Sequence, residues 1–225
     1  MIIPPRYNGP PDSANGGYAC GLMSEALGGG FEVTLLRPPP LGVDLDLIGH
    51  ELRQGGVLIA EARRAPPFAL DAPQPVSVEE AEEASRNYPG FQHHAYPTCF
   101  SCGPERDDGL RIFPGPVAGR DGLVAAPWAP EEVRPEIIWA ALDCPSGWAV
   151  DEFQREGVML GRMAAGIREL PAVGERHVVV GWPFGEEGRK RHAGSALYSP
   201  AGDVLAIARS TWIVPATGTD RVPEA

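Results

Sequence analysis

The spacing of apolar and polar residues divides the chain into segments of different rhythm. Asn15-Gly16-Gly17-Tyr18-Ala19-Cys20-Gly21-Leu22-Met23-Ser24-Glu25-Ala26-Leu27 lies between a helix-capping residue and the run Gly28-Gly29-Gly30, which stops a helix, so about three helical turns are expected. Phe31 to Leu36 then alternates, and Leu41 to Ile48 alternates more cleanly. In that second run Val43, Leu45 and Leu47 fall on one face while Asp44 and Asp46 fall on the other, as in an antiparallel strand with one wet face. Pro38-Pro39-Pro40 cannot enter a central ladder and marks a corner or bulge. Val57 to Arg63 reads as a further strand after the turn at Gly55-Gly56.

Prolines 66, 67, 73 and 75 break the next stretch, and Ser77-Val78-Glu79-Glu80 has the capping-box spacing of a short acidic helix running to about Arg86. Gly109 to Phe113 and Gly122 to Ala126 read as two strands. A second apolar helix follows over Arg134–Ala149, and then strand-like segments at Val158–Leu170, Arg176–Trp182, Arg189–Tyr198 and Val204–Val214. Residues 1–14 read as an extended arm with no periodic core face, and 216–225 as a frayed tail.

The two halves echo each other. Gly55-Gly56-Val57-Leu58 with Ala62-Arg63 matches Gly202-Asp203-Val204-Leu205 with Ala208-Arg209, allowing a one-residue slip. Each half reads as a helix followed by antiparallel strands, the second preceded by an extra hairpin. The expected organisation is a first half over 1–64, a connection over 65–92, a second half over 93–215 and a tail over 216–225.

Composition adds exclusions. The 225 residues, 43% hydrophobic and 22% charged, suit one large folded domain or two small ones. A formal net charge of −11 disfavours nucleic-acid partners. No apolar run is long enough to span a membrane, and Met1-Ile2-Ile3-Pro4-Pro5-Arg6 lacks the pattern of a secretory leader, so a cytoplasmic location is expected.

The candidate chemistry centres on Asp143, one acid inside the apolar run Ile137-Ile138-Trp139-Ala140-Ala141-Leu142. Burying an ionised carboxylate costs several kcal/mol unless partners satisfy it. Its plain alternative is a local cap made by Asp143-Cys144-Pro145. Cys99-x-x-Cys102 has the spacing of half a zinc site, but no second half-site is evident unless His93 or His94 folds back. A reduced turn motif or a redox-sensitive pair explains it as well, and no metal or cofactor is assigned. The cluster Arg189-Lys190-Arg191-His192 suits phosphate recognition or a charged strand face. Trp139 and Trp148 suit the wall of an apolar ligand site or plain core. Nucleotide-binding loops and the serine-hydrolase elbow have no counterpart in the chain.

Cys99-Phe100-Ser101-Cys102-Gly103, then Gly109-Leu110-Arg111-Ile112-Phe113, then a helix with an acid nine residues after its start, resembles the PaaI-type branch of the hotdog superfamily. Arg134-Pro135-Glu136 stands where that branch has His-Gly-Gly. Asn15-Gly16-Gly17-Tyr18 resembles the helix start of paired-hotdog acyl-CoA thioesterases, with Ser24 and Glu25 near the matching acid position. The resemblance implies an α+β double hotdog: two long antiparallel sheets, each wrapping a central helix, packed as an intrachain pseudo-dimer.

It also implies thioester chemistry at a composite site. Asp143 would be general base or nucleophile, with Asn15, Gly17 and Tyr18 supplying an oxyanion hole at a helix start. Gly16, Ser24, Glu25, Trp139, Trp148, Arg189 and Arg191 are the substrate-binding candidates. The implied partner is an acyl-CoA or related thioester, with a homodimer through the sheets also expected. A non-catalytic hotdog that binds an acyl group is the alternative.

Overall fold

Asn15 opens the first helix as its chemistry predicts. Its Oδ1 accepts the Tyr18 N–H at 2.9 Å, and α1 runs Gly16–Ala26. Gly28, Gly29 and Gly30 all adopt positive φ and end it. The computed structural model describes residues 1–66, 70–150, 153 and 158–215; the tail expected over 216–225 and Pro67 lie outside the described residues.

Four strands follow: β1 Phe31–Leu35, β2 Asp46–Ile48, β3 Glu51–Gln54 and β4 Val57–Arg64. Helix α2, Val78–Arg86, carries the expected capping box in both directions: Ser77 Oγ accepts the Glu80 N–H, and Glu80 Oε2 accepts the Ser77 N–H. After β5 Gly115–Pro116 and β6 Val124–Trp128 comes α3, Pro135–Trp148, with Pro135 at its first turn where no donor is needed. Pro145 lies inside α3 without ending it. The chain closes with β7 Met159–Ile167, β8 His177–Glu187, β9 Lys190–Tyr198 and β10 Val204–Ile213.

The ten strands of the described residues form one antiparallel sheet in the order β2-β3-β4-β1-β7-β10-β9-β8-β6-β5. Outward from the β1–β7 seam, each side places the strand after its helix first, then the fourth, third and second strands of its half. The two expected sheets are therefore the two sides of a single sheet, related by a pseudo-twofold. Strands β5 and β6 are the extra hairpin of the second half. The sequence echo at Val57 and Val204 falls on β4 and β10, which hold matching places in that order.

At the seam Glu32 pairs with Ala164, Val33 with Met163 and Thr34 with Arg162. Glu32 is 3% exposed and is held by Arg63 of the first half at 2.6 Å and Arg209 of the second at 2.8 Å. Burial alone raises its carboxyl pKa, but the two guanidinium groups outweigh that and hold it below the usual range. The joint between the halves thus depends on a clamped charge as well as on ladder bonds.

Helices α1 and α3 pack against each other on one face of the sheet. They approach so closely because of glycine: a Cβ on Gly17 would stand 2.5 Å from Trp139 O, and one on Gly21 2.7 Å from Trp139 Cγ. The core built around them holds Met23, Val33, Ile137, Leu142, Met163 and Val179. On the opposite face α2 covers a smaller cluster containing Ala81, Ala84, Val178 and Val180. Both faces of β8 are covered there, which explains the unbroken run Val178-Val179-Val180.

Several expectations need correction. Residues 41–45 are not strand, because Gly42 N–H donates to Ile3 O and Leu45 N–H to Met1 O; the alternation is used against the N-terminal arm. That arm is not a coreless extension: Ile3, Tyr7 and Ala14 are buried. Gly109–Phe113 is not a strand either. Leu110 and Ile112 N–H groups bond Phe100 O and Ser101 O across a loop in which Arg111 takes φ 55°. Strand β3 went unread because Glu51-Leu52-Arg53-Gln54 has a single apolar residue.

Candidate active site

The crossing of α1 and α3 brings the two halves of the expected site into contact. Gly17 N–H donates to Asp143 Oδ2 at 3.0 Å. Asp143 is 2% exposed, and its Oδ1 has no hydrogen-bond partner. Burial pushes its carboxyl up to about 7; the Gly17 amide and Asn15 work against that rise, and the sulfur of Cys99 adds to it.

Beside Asp143 opens a cavity of about 270 Å³. Asn15 and Gly16 line it at the start of α1, with Asp143 and Cys144 from α3, Cys99 and Cys102 from the preceding loop, and Leu160, Trp212 and Ile213 from the sheet. Its wall is mostly apolar, and Arg37 stands at the rim, exposed to solvent. Such a pocket, with a few converging polar groups, suits a small apolar ligand with one reacting polar centre.

The expected oxyanion donors need revision. Tyr18 N–H is taken by Asn15 Oδ1 and Gly17 N–H by Asp143 Oδ2, so neither amide points into open space. The Tyr18 ring stacks on Tyr7, with centroids 3.9 Å apart, in the core. At this helix start Asn15 and Gly16 line the cavity; Asn15 Nδ2 donates to Cys99 Sγ at 4.0 Å and Cys144 Sγ at 3.9 Å, which leaves the amide of Gly16, at the first helical position, as the donor there. Helix geometry leaves a first-position amide without an intrahelical acceptor.

The substrate-binding candidates divide. Gly16 lines the cavity. Ser24 and Glu25 sit at the far end of α1: Ser24 is fully buried with its Oγ accepting the Phe31 N–H, and Glu25 is exposed. Burial, then the neighbouring Glu136, raises the Glu25 carboxyl pKa. Trp139 packs under Gly21 between the helices, and Trp148 packs edge-on against Tyr88, His94 and Phe153, so both are core. Arg189 and Arg191 sit at the β8–β9 turn and are not among the lining residues; the register places Arg191 opposite Trp212, one strand from the cavity. Arg191 also lies 3.5 Å from Glu186.

Sequence reasoning missed that Cys144 joins Cys99 and Cys102. The three sulfurs lie within 4.8 Å of one another, and all three cysteines are free and buried. Hydrogen bonds from Cys102 and then Cys144 favour the thiolate of Cys99, so it carries charge most readily of the three. Burial lowers the basicity of His94, whose Nε2 is 3.3 Å from Cys102 Sγ. The adjacency of Cys144 to Asp143 was the only sequence signal for this grouping. Arg37, hidden in a proline-rich stretch, had none.

No protein-family model matches the chain, and no curated protein matches its sequence. Solved structures do match its architecture, and they define it as a hot dog fold. A candidate thioesterase from Novosphingobium aromaticivorans superposes at a TM-score of 0.62 with 12% identity, covering 96% of this chain and 94% of its own. A candidate thioesterase II from Thermobifida fusca gives 0.59 and 14%, covering 96% and 91%. A hot dog protein of unknown function from Alicyclobacillus acidocaldarius gives 0.55 and 10%, covering 95% and 91%. At these identities the likeness carries the fold, and the chemistry rests on the site itself.

Proposed function

We propose that the chain hydrolyses a thioester of an acyl group, such as an acyl-CoA, in the cavity where α1 meets α3. The observation that carries this reading is the Asp143 carboxylate: one oxygen is fixed by the Gly17 amide, and the other is buried and unpartnered in the wall of an apolar cavity. A carboxyl oriented through one oxygen keeps the second available for chemistry.

In this reading the acyl chain lies along the apolar wall, and the thioester carbonyl points at the start of α1. The Gly16 N–H stabilises the developing oxyanion, aided by the positive end of the helix. Asp143 Oδ1 removes a proton from the attacking water, or attacks the carbonyl itself to form an acyl-enzyme anhydride that water then opens. Either route releases the free thiol and the carboxylic acid. Arg37 at the rim meets the anionic carrier.

The depth of Asp143 favours one second reading: a carboxyl this deeply buried, whose ionised form burial disfavours, also suits a hot dog that retains an acyl ligand without turning it over. A panel of acyl-CoA substrates of increasing chain length, assayed for free-thiol release, separates the two. Turnover for at least one chain length supports hydrolysis. Binding by calorimetry with no thiol release across the panel supports the binder.

A further inference from the structure

We infer that Cys99, Cys102 and Cys144 hold one zinc ion in the wall of this cavity, with the fourth coordination position turned to the cavity. The residues come from two places. Cys99 and Cys102 are the ends of a tight turn closed by the Gly103 N–H on Cys99 O at 2.9 Å, and Cys144 reaches them from α3. Glycine is required at 103, since a Cβ there would lie 2.5 Å from Pro97 O and from Cys99 N.

The spacing fits the ion. Two sulfurs at about 2.3 Å from a tetrahedral zinc stand about 3.8 Å apart. Cys99 Sγ and Cys144 Sγ are 3.8 Å apart, and the third sulfur completes a triangle with no side above 4.8 Å. A disulfide needs about 2.05 Å, so the pair would have to close up to form one. Three thiols select a thiophilic ion over magnesium or calcium. On binding, each thiol gives its proton to solvent and becomes a thiolate.

His94 has a different place from the cysteines. Its Nδ1 accepts the Tyr96 N–H at 2.9 Å, so in the neutral ring the proton is on Nε2, directed at Cys102 Sγ. Histidine 94 is therefore an outer-shell donor to the Cys102 sulfur and leaves the fourth position to a water from the cavity. The cavity also provides the route by which the ion reaches three buried sulfurs. The ion ties the loop before β5 to α3 one residue from Asp143, and this assignment does not depend on whether the cavity hydrolyses a thioester.

The test is elemental analysis of the full chain purified under reducing, chelator-free conditions. About one zinc per chain is expected, lost in Cys102→Ser and Cys144→Ser and retained in His94→Ala with affinity weakened about 10–100-fold. Should the serine variants not fold, cobalt uptake by the wild-type chain reads the same site: sulfur-to-cobalt charge-transfer and tetrahedral visible bands are expected at one equivalent. Zinc well below one per chain with no tight uptake on titration, copper in place of zinc, or a Cys99–Cys144 disulfide in the isolated protein would each overturn the assignment.

Discussion

The two helix starts of this molecule occupy equivalent places in a pseudo-twofold and have become chemically opposite. At the start of α1, glycines let α3 approach, the Gly17 amide fixes Asp143, and a cavity opens beside the free carboxylate oxygen. At the start of α3, Pro135 removes a donor, and Arg134 fills the space by bonding Glu136 Oε1 at 2.6 Å and Tyr7 OH at 2.9 Å. The acid position facing that second start is Ser24, buried and engaged with Phe31. One crossing keeps an acid beside a cavity, and the other holds an ion pair that closes it.

The first way to break this comparison is Asp143→Asn. It removes the acid at the α1 start while keeping an acceptor for the Gly17 amide, and it should lower thioester hydrolysis by about 10²–10⁴-fold with the fold intact. Rates of thiol release and a circular dichroism melt check it together.

Glu32→Gln attacks the joint between the halves. Replacing a charged acceptor of two guanidinium groups should cost roughly 1.5–3 kcal/mol in urea unfolding at neutral pH. The sign with pH follows from the lowered carboxyl pKa. The contribution of Glu32 is present above its unfolded value near 4.5 and is lost as pH falls through the lower folded value. Wild type and variant should therefore converge in strong acid.

Gly17→Ala tests whether close approach makes the site. Its Cβ would press on Trp139 O and Asp143 Cβ, so about 1–3 kcal/mol of stability should be lost. Gly166→Ala, with open space around its Cβ, should change stability by less than about 0.5 kcal/mol. The smallest effect belongs to the closed crossing. Glu136→Gln weakens a partly exposed ion pair by under about 1 kcal/mol and should leave thiol release within about twofold of wild type.

Much of this contrast is legible in the sequence, because it resides in residue types with strong local rules. Asn15 as a cap, Gly28-Gly29-Gly30 as a stop, Pro135 as a missing donor and Ser77 with Glu80 as a capping box all act within a few residues of themselves. The meeting of Gly17 with Asp143 was expected from the resemblance of each helix to a known half. What stayed hidden depends on long-range partners. The Gly17 amide bonds the acid directly instead of waiting for an oxyanion, because Gly17 and Gly21 let the helices come closer than a generic pair. The apolar alternation at Leu41–Leu47 serves the N-terminal arm, which no local pattern reveals. Cys144 reads as an ordinary helix residue until the loop carrying Cys99 and Cys102 is folded against it.

The most direct measurement is the initial rate of free-thiol release from one acyl-CoA substrate by wild type, Asp143→Asn and Glu136→Gln in parallel. A collapse in the Asp143 variant alone, with Glu136→Gln matching wild type, is the predicted result. Equal rates in wild type and the Asp143 variant would contradict the assignment of the reaction to the crossing where α1 begins.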